Sequence, residues 1–195
     1  MPNSFYGRQR PLYVPPSSLE YVKVRMTTTT RRTMTETEPL TEVSKRIVIF
    51  GATGDLCKRK LIPALYELWK KNLLPKGLLI VGASRRDLPK ETWLNHLGDY
   101  PQDFTAWLDF ISCDLDCQES LNKLHDESAD TTYFLSVPPS TYGAAITNLK
   151  EAGFLDDPQR SRVVIEKPFG YDYKSACNLQ SVVERHLREK QVYRI

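Results

Sequence analysis

Two glycines three residues apart, Gly51 and Gly54, lie where a short β-branched run, Arg46-Ile-Val-Ile-Phe50, gives way to a polar and basic stretch. A glycine-bearing turn between a first strand and a first helix is where the pyrophosphate of a dinucleotide binds. The backbone can come close there, and helix N-terminal N–H groups and the helix dipole meet the negative charge. The cradle so predicted is Gly51, Ala52, Thr53, Gly54, Asp55 and Leu56, followed by Cys57 and the basic run Lys58-Arg59-Lys60. The usual third glycine position of the fingerprint holds Cys57, which is still small enough for close helix–strand packing. The glycine and lysine spacing does not fit the GxxxxGK[ST] phosphate loop.

The end of the second predicted strand chooses between cofactors. NAD-specific dinucleotide folds place an acid there for the ribose 2′-hydroxyl. Here Gly82-Ala-Ser is followed by Arg85-Arg86. A guanidinium matches a 2′-phosphate in charge and fork geometry, so the pattern favours NADP. The bland alternative is a solvated basic turn with Asp87 as an ion partner. A third feature is Lys167, placed between the end of a predicted parallel strand and Pro168. Open α/β sheets bind ligands at such strand ends, and a lysine there can hold an anion or a polar hydroxyl. His96, His125 and His186 fall on predicted helices or their ends and read as solvated side chains.

These residues need a frame. Strands are predicted at Arg46–Phe50, Leu78–Val81 (stopped by Gly82), Asp109–Cys113, Tyr133–Val137 and Arg162–Ile165 from their apolar, β-branched content. Helical spacing is read at Lys58–Lys71, Lys90–Leu97, Gln118–His125, Tyr142–Ala152 and Asp172–Arg188. Pro63 is expected in the first turn of its helix, where the missing N–H does no harm. Alternating strands and helices mean βαβ units: an α/β, Rossmann-type doubly wound fold with a mainly parallel sheet over residues 45–195.

Composition fits one soluble domain and a tail: 195 residues, 41% hydrophobic and 26% charged. The overall charge is +3, but residues 1–35 alone carry six basic side chains against Glu20, or +5, which leaves −2 for the rest. The body therefore lacks the basic stripe of a nucleic-acid binder. No apolar run approaches the ~18 residues of a membrane span. Cys57, Cys113, Cys117 and Cys177 form no CxxC pair and no zinc spacing, so no metal site is predicted and a reducing, cytoplasmic setting is. Residues 1–44, with Pro11, Pro15, Pro16 and the run Thr27–Thr30, show no hydrophobic period. They read as disordered or as an upstream extension, with a start at Met26 or Met34 preferred over a targeting segment.

Five stretches in order, Gly51-Ala-Thr-Gly-Asp-Leu-Cys-Lys58, Val81-Gly-Ala-Ser-Arg85, Val137-Pro-Pro-Ser-Thr-Tyr142, Glu166-Lys-Pro-Phe-Gly170 and Gln191-Val-Tyr-Arg-Ile195, resemble the glucose-6-phosphate dehydrogenase family across residues 45–195. The resemblance implies an NADP-binding Rossmann-type domain, followed in the family by a larger β+α domain that these residues do not include. It implies oxidation of glucose 6-phosphate to 6-phosphogluconolactone with reduction of NADP, at the entry to the pentose phosphate pathway. It gives the Gly51–Lys58 loop to the dinucleotide, Arg85 to the 2′-phosphate and Tyr142 to a cofactor contact. Lys167 would reach both cofactor and sugar phosphate, and a cis bond before Pro168 is expected. The family's general base, a histidine, falls beyond Ile195, so no catalytic residue is expected here and the chain alone should not turn over. The family's homo-oligomers rest mainly on the other domain and are not implied for this chain. Two alternatives remain: a non-catalytic NADP-binding module, and an epimerase- or reductase-type Rossmann protein. The latter is disfavoured by Cys57 in a glycine position and by the lack of a well-placed Tyr-x-x-x-Lys pair.

Overall fold

The computed structural model describes residues 44–126 and 128–195. The expectation for the N-terminal stretch lies outside them, Ser44 apart. Six strands, β1 (Lys45–Phe50), β2 (Leu79–Ser84), β3 (Leu108–Ser112), β4 (Asp130–Leu135), β5 (Ser161–Ile165) and β6 (Val192–Arg194), form one sheet in the order β3-β2-β1-β4-β5-β6. Every pairing is parallel. The chain adds strands outward from β1 to β3, then crosses back to place β4 on the other side of β1. The crevice beyond the carboxyl ends of β1 and β4 is therefore the topological switch point, where such sheets bind ligands.

Alternation along the strands builds a core on each face. Val48, Phe50, Val81, Ala83, Tyr133, Leu135, Val163 and Ile165 point one way. They meet Leu121 of α4 (Gln118–Leu121), Leu124 of the 3₁₀ turn that extends it, Ala145, Ile146 and Leu149 of α5 (Tyr142–Glu151), and Leu179 and Val183 of α6 (Tyr173–His186). Ile49, Ile80, Leu108 and Phe110 point the other way. They pack on α1 (Ile62–Lys70), α2 (Lys90–Leu97) and the single turn α3 (Gln102–Thr105), through Ile62, Trp93, Leu97 and Phe104. Helices on both faces make the fold doubly wound, as the sequence pattern requires.

Two local readings are corrected and one is refined. Gly82 does not stop the second strand, which runs on to Ser84. The missing side chain serves packing instead, because a Cβ on Gly82 would lie 2.5 Å from the Trp93 ring. Pro63 is the second residue of α1, in its first turn as expected, but another helical segment runs into it. Helical backbone starts at Asp55, and Cys57–Leu61 form a wide π turn just ahead of the proline. In that turn the Ile62 N–H donates to Cys57 O, five residues back. A proline ring clashes with the carbonyl four residues earlier in a regular helix, and the wider turn relieves that clash. The predicted helix Gln118–His125 is shorter than expected, one α turn and then a 3₁₀ turn, Asn122–Leu124.

Candidate functional site

The site is built where β1, β2 and β4 end. Gly51 has φ +79°, and a Cβ there would collide with the carbonyl oxygen of Ser136. Only glycine lets the chain turn this close to the residue after β4. The turn is held by backbone bonds: Gly51 and Ala52 N–H both donate to Ala83 O (2.9 and 3.1 Å), and Gly54 N–H donates to Gly51 O (2.9 Å). Ser136 N–H donates to Phe50 O at 3.0 Å, which closes the collar from the β4 side. Lys58 N–H donates to Gly54 O at 3.3 Å as the helix begins. The N–H groups ahead of it belong to the first turn, which leaves donors without intrahelical acceptors.

A cavity of about 390 Å³ opens above this collar, in the size range of small-molecule sites. Gly51, Thr53 and Gly54 form its floor, and Ser84, Arg85 and Arg86 one wall. Cys113, Asp114, Leu115 and Asp116 form a second wall, and Ser136, Val137, Pro138 and Thr141 a third. The Thr53 and Ser84 hydroxyls lie 3.0 Å apart and tie the loop to the end of β2. Arg86 N–H donates to Ser84 Oγ at 3.3 Å, bending the chain so that both arginines meet the cavity. Both are exposed, and neither has an ion pair among the described residues, from Asp87 or any other. Ser136 Oγ is buried and has no hydrogen-bond partner. Two unpaired guanidiniums on one wall of the cavity suit an anionic ligand such as a dinucleotide. No group of three or more potential metal ligands occurs among the described residues.

Not all of the predicted cradle faces the cavity. Cys57 and Ala52 are fully buried. Cys57 packs beneath the loop, and burial pushes its thiol pKa up to about 12, so it stays a neutral apolar filler. Ala52 offers its carbonyl to Trp93 Nε1 at 2.9 Å, fastening the loop to α2. Asp55 is exposed and pairs with Arg59 at 2.6 Å. Leu56 and Lys58 are half-buried and outside the cavity wall. Tyr142 is 2% exposed and sits in the core, where its hydroxyl donates to Glu166 O at 3.3 Å. Its ring is enclosed because Tyr142 opens α5 on the side facing the sheet. Lys167 is exposed at the end of β5, outside the cavity wall, with its N–H on Ile195 O at 3.0 Å. The Lys167–Pro168 bond is cis. None of the three histidines lines the cavity, and His186 Nε2 faces Thr147 Oγ1 at 3.4 Å.

The sequence reading missed Ser84, Ser136, the Cys113–Asp116 wall and Trp93. One signal was available for Trp93: a glycine inside an apolar strand marks a close approach from a neighbouring element. Cys113 lies in the wall but is 2% exposed, and burial raises its thiol to about 11 despite a lowering hydrogen bond with Ser120.

A family model described as glucose-6-phosphate dehydrogenase, NAD binding domain, matches residues 48–195. A glucose-6-phosphate 1-dehydrogenase of Caenorhabditis elegans is 33% identical over 169 residues, covering 76% of this chain and 32% of its own length. The Leuconostoc mesenteroides enzyme of the same name is 32% identical over 176 residues, covering 80% of this chain and 36% of its own. Among solved structures, a Mycobacterium avium glucose-6-phosphate 1-dehydrogenase superposes with a TM-score of 0.69 at 29% identity, over 78% of this chain and 35% of that one. A glucose-6-phosphate dehydrogenase solved with its substrate glucose 6-phosphate gives 0.68 at 28% identity, over 78% and 36%. The chain thus spans about a third of the length of the relatives it matches.

Proposed function

Since the chain belongs to the glucose-6-phosphate dehydrogenase family, we propose that it forms the NADP-binding part of an enzyme that oxidises glucose 6-phosphate to 6-phosphogluconolactone, in a cytoplasmic setting. The observation that carries the cofactor assignment is the pair of unpaired guanidiniums, Arg85 and Arg86, at the end of β2 beside the Gly51–Gly54 turn. In this reading the turn takes the pyrophosphate and Arg85 the 2′-phosphate, with Ser84 and Ser136 as hydrogen-bonding walls. Lys167, at the end of β5, reaches toward cofactor and sugar phosphate. The bound nicotinamide supplies the hydride acceptor. The chain's own residues hold and orient it, and the proton of the sugar hydroxyl passes to a base elsewhere in the protein.

Titration of this chain with NADP and NAD tests the proposal. NADP should bind more tightly, and Arg85→Ala should weaken NADP by about tenfold or more while leaving NAD nearly unchanged. Equal affinity for both cofactors, or an Arg85→Ala variant that binds NADP as the parent does, would remove the 2′-phosphate assignment. The chain alone should not reduce NADP with glucose 6-phosphate, and measurable turnover would show that it holds its own base.

A further inference from the structure

We propose that Tyr142 is a positioning residue, linking the wall of the dinucleotide cavity to the main chain that carries Lys167. The proposal rests on the reading of the cavity given above. Its ground is a connection that crosses two elements. Ser136, Val137, Pro138 and Thr141 line the cavity, and Tyr142 follows directly as the first residue of α5. Its ring is locked in the core, and its hydroxyl crosses to β5 to donate to the carbonyl of Glu166, the residue before Lys167. On the other side, Lys167 N–H is held by Ile195 O beyond β6. The backbone at Lys167 is therefore fixed from two directions, one of which leads to the cavity wall.

A phenol suits this task. Burial, offset by the hydrogen bond to Glu166 O, raises the Tyr142 pKa above its ordinary value, so the hydroxyl remains a donor across the physiological range. Lys167 is exposed and has a long flexible stem, so the placement of its main chain governs which phosphate or hydroxyl its ammonium meets. A ligand that settles against the Ser136–Thr141 turn presses on the residue whose hydroxyl holds that main chain. Tyr142 thus acts through Lys167 and need not touch the ligand itself.

A double-mutant cycle on NADP affinity, by isothermal titration at fixed salt, separates this from simple packing. Tyr142→Phe keeps the ring volume and removes only the donor. It should weaken NADP by about three- to tenfold, with a small fall in melting temperature for the lost hydrogen bond. Lys167→Ala should weaken NADP by at least as much. In the Lys167→Ala background Tyr142→Phe should add nothing, because its effect travels through the lysine. Additive losses or a silent Lys167→Ala would overturn the positioning role and leave the cavity assignment intact. Failure of the parent chain to bind NADP would overturn both.

Discussion

At the scale of single residues, the strongest constraint on the site is steric. Gly51 holds a left-handed φ against the carbonyl of Ser136, so Gly51→Ala meets backbone strain and a collision together. It should lower stability by roughly 2–3 kcal/mol in chemical denaturation, and a neutral result would mean the turn can relax away from β4. Thiol chemistry divides by burial. Cys57 and Cys113 are enclosed, with pKa values raised to about 12 and about 11, whereas Cys117 and Cys177 are exposed. Alkylation at pH 8 followed by peptide mass spectrometry should mark Cys117 and Cys177 and spare the other two until the protein unfolds. Asp172 gives a pH signature. It caps α6 by accepting from Ser175 N–H at 2.7 Å, and that bond, with Ser175 Oγ, lowers its pKa from the usual 3.8. A depressed carboxyl stabilises the fold above its unfolded pKa and loses that contribution as pH falls through the folded value. Asp172→Ala should therefore melt below the parent at neutral pH, with the gap shrinking below about pH 4. A gap that persists in acid would mean the charge is not what matters.

At the scale of elements, much was legible because continuous apolar runs and helical spacing carry their own signal. Short apolar, β-branched runs marked five of the six strands, and a period near 3.6 found α1, α2, α5 and α6. The failures have physical causes. β6 is three residues long, and its Tyr193 is half exposed, so it has neither the length nor the alternation to announce itself. Gly82 looked like a stop because glycine weakens strands, yet here it makes room for a tryptophan from another element, a long-range fact that local pattern does not hold. Within the site, the glycine turn and Arg85 were readable because their chemistry is local. Ser84, Ser136 and the Cys113–Asp116 wall join the cavity only through strand order. The resemblance gives Tyr142 a cofactor contact, and the structure adds that α5 turns its ring into the core. Packing of Trp93 on Gly82 yields a test: Gly82→Ala should cost about 1–3 kcal/mol by overpacking, and Trp93→Ala about 3–5 kcal/mol. Trp93→Ala should also loosen the Gly51–Gly54 turn, since Trp93 Nε1 holds Ala52 O, and weaken NADP binding more than a distant core truncation of equal cost.

At the scale of the whole molecule, the sheet is parallel throughout and its centre is β1, flanked by β2 and β4 along its length. Central strands covered by helices on both faces open only with global unfolding, whereas a short edge strand opens locally. Hydrogen exchange should be slowest at Ile47–Phe50 and markedly faster at Val192–Arg194, and the reverse order would contradict the strand arrangement. The collar around Gly51 carries a further consequence, for the order of events on the ribosome. Its floor is made at the start of the domain, but the carbonyl that faces it belongs to Ser136, about 85 residues later in the chain. At roughly 5–20 residues per second that interval lasts on the order of 4–17 s. During it β1 has only β2 to pair with, and the Gly51–Gly54 turn stands open on the side where β4 will arrive. A nascent chain that has exposed residues up to β3 should therefore be folded enough to protect β1 and β2, yet be blind to the nucleotide until β4 emerges.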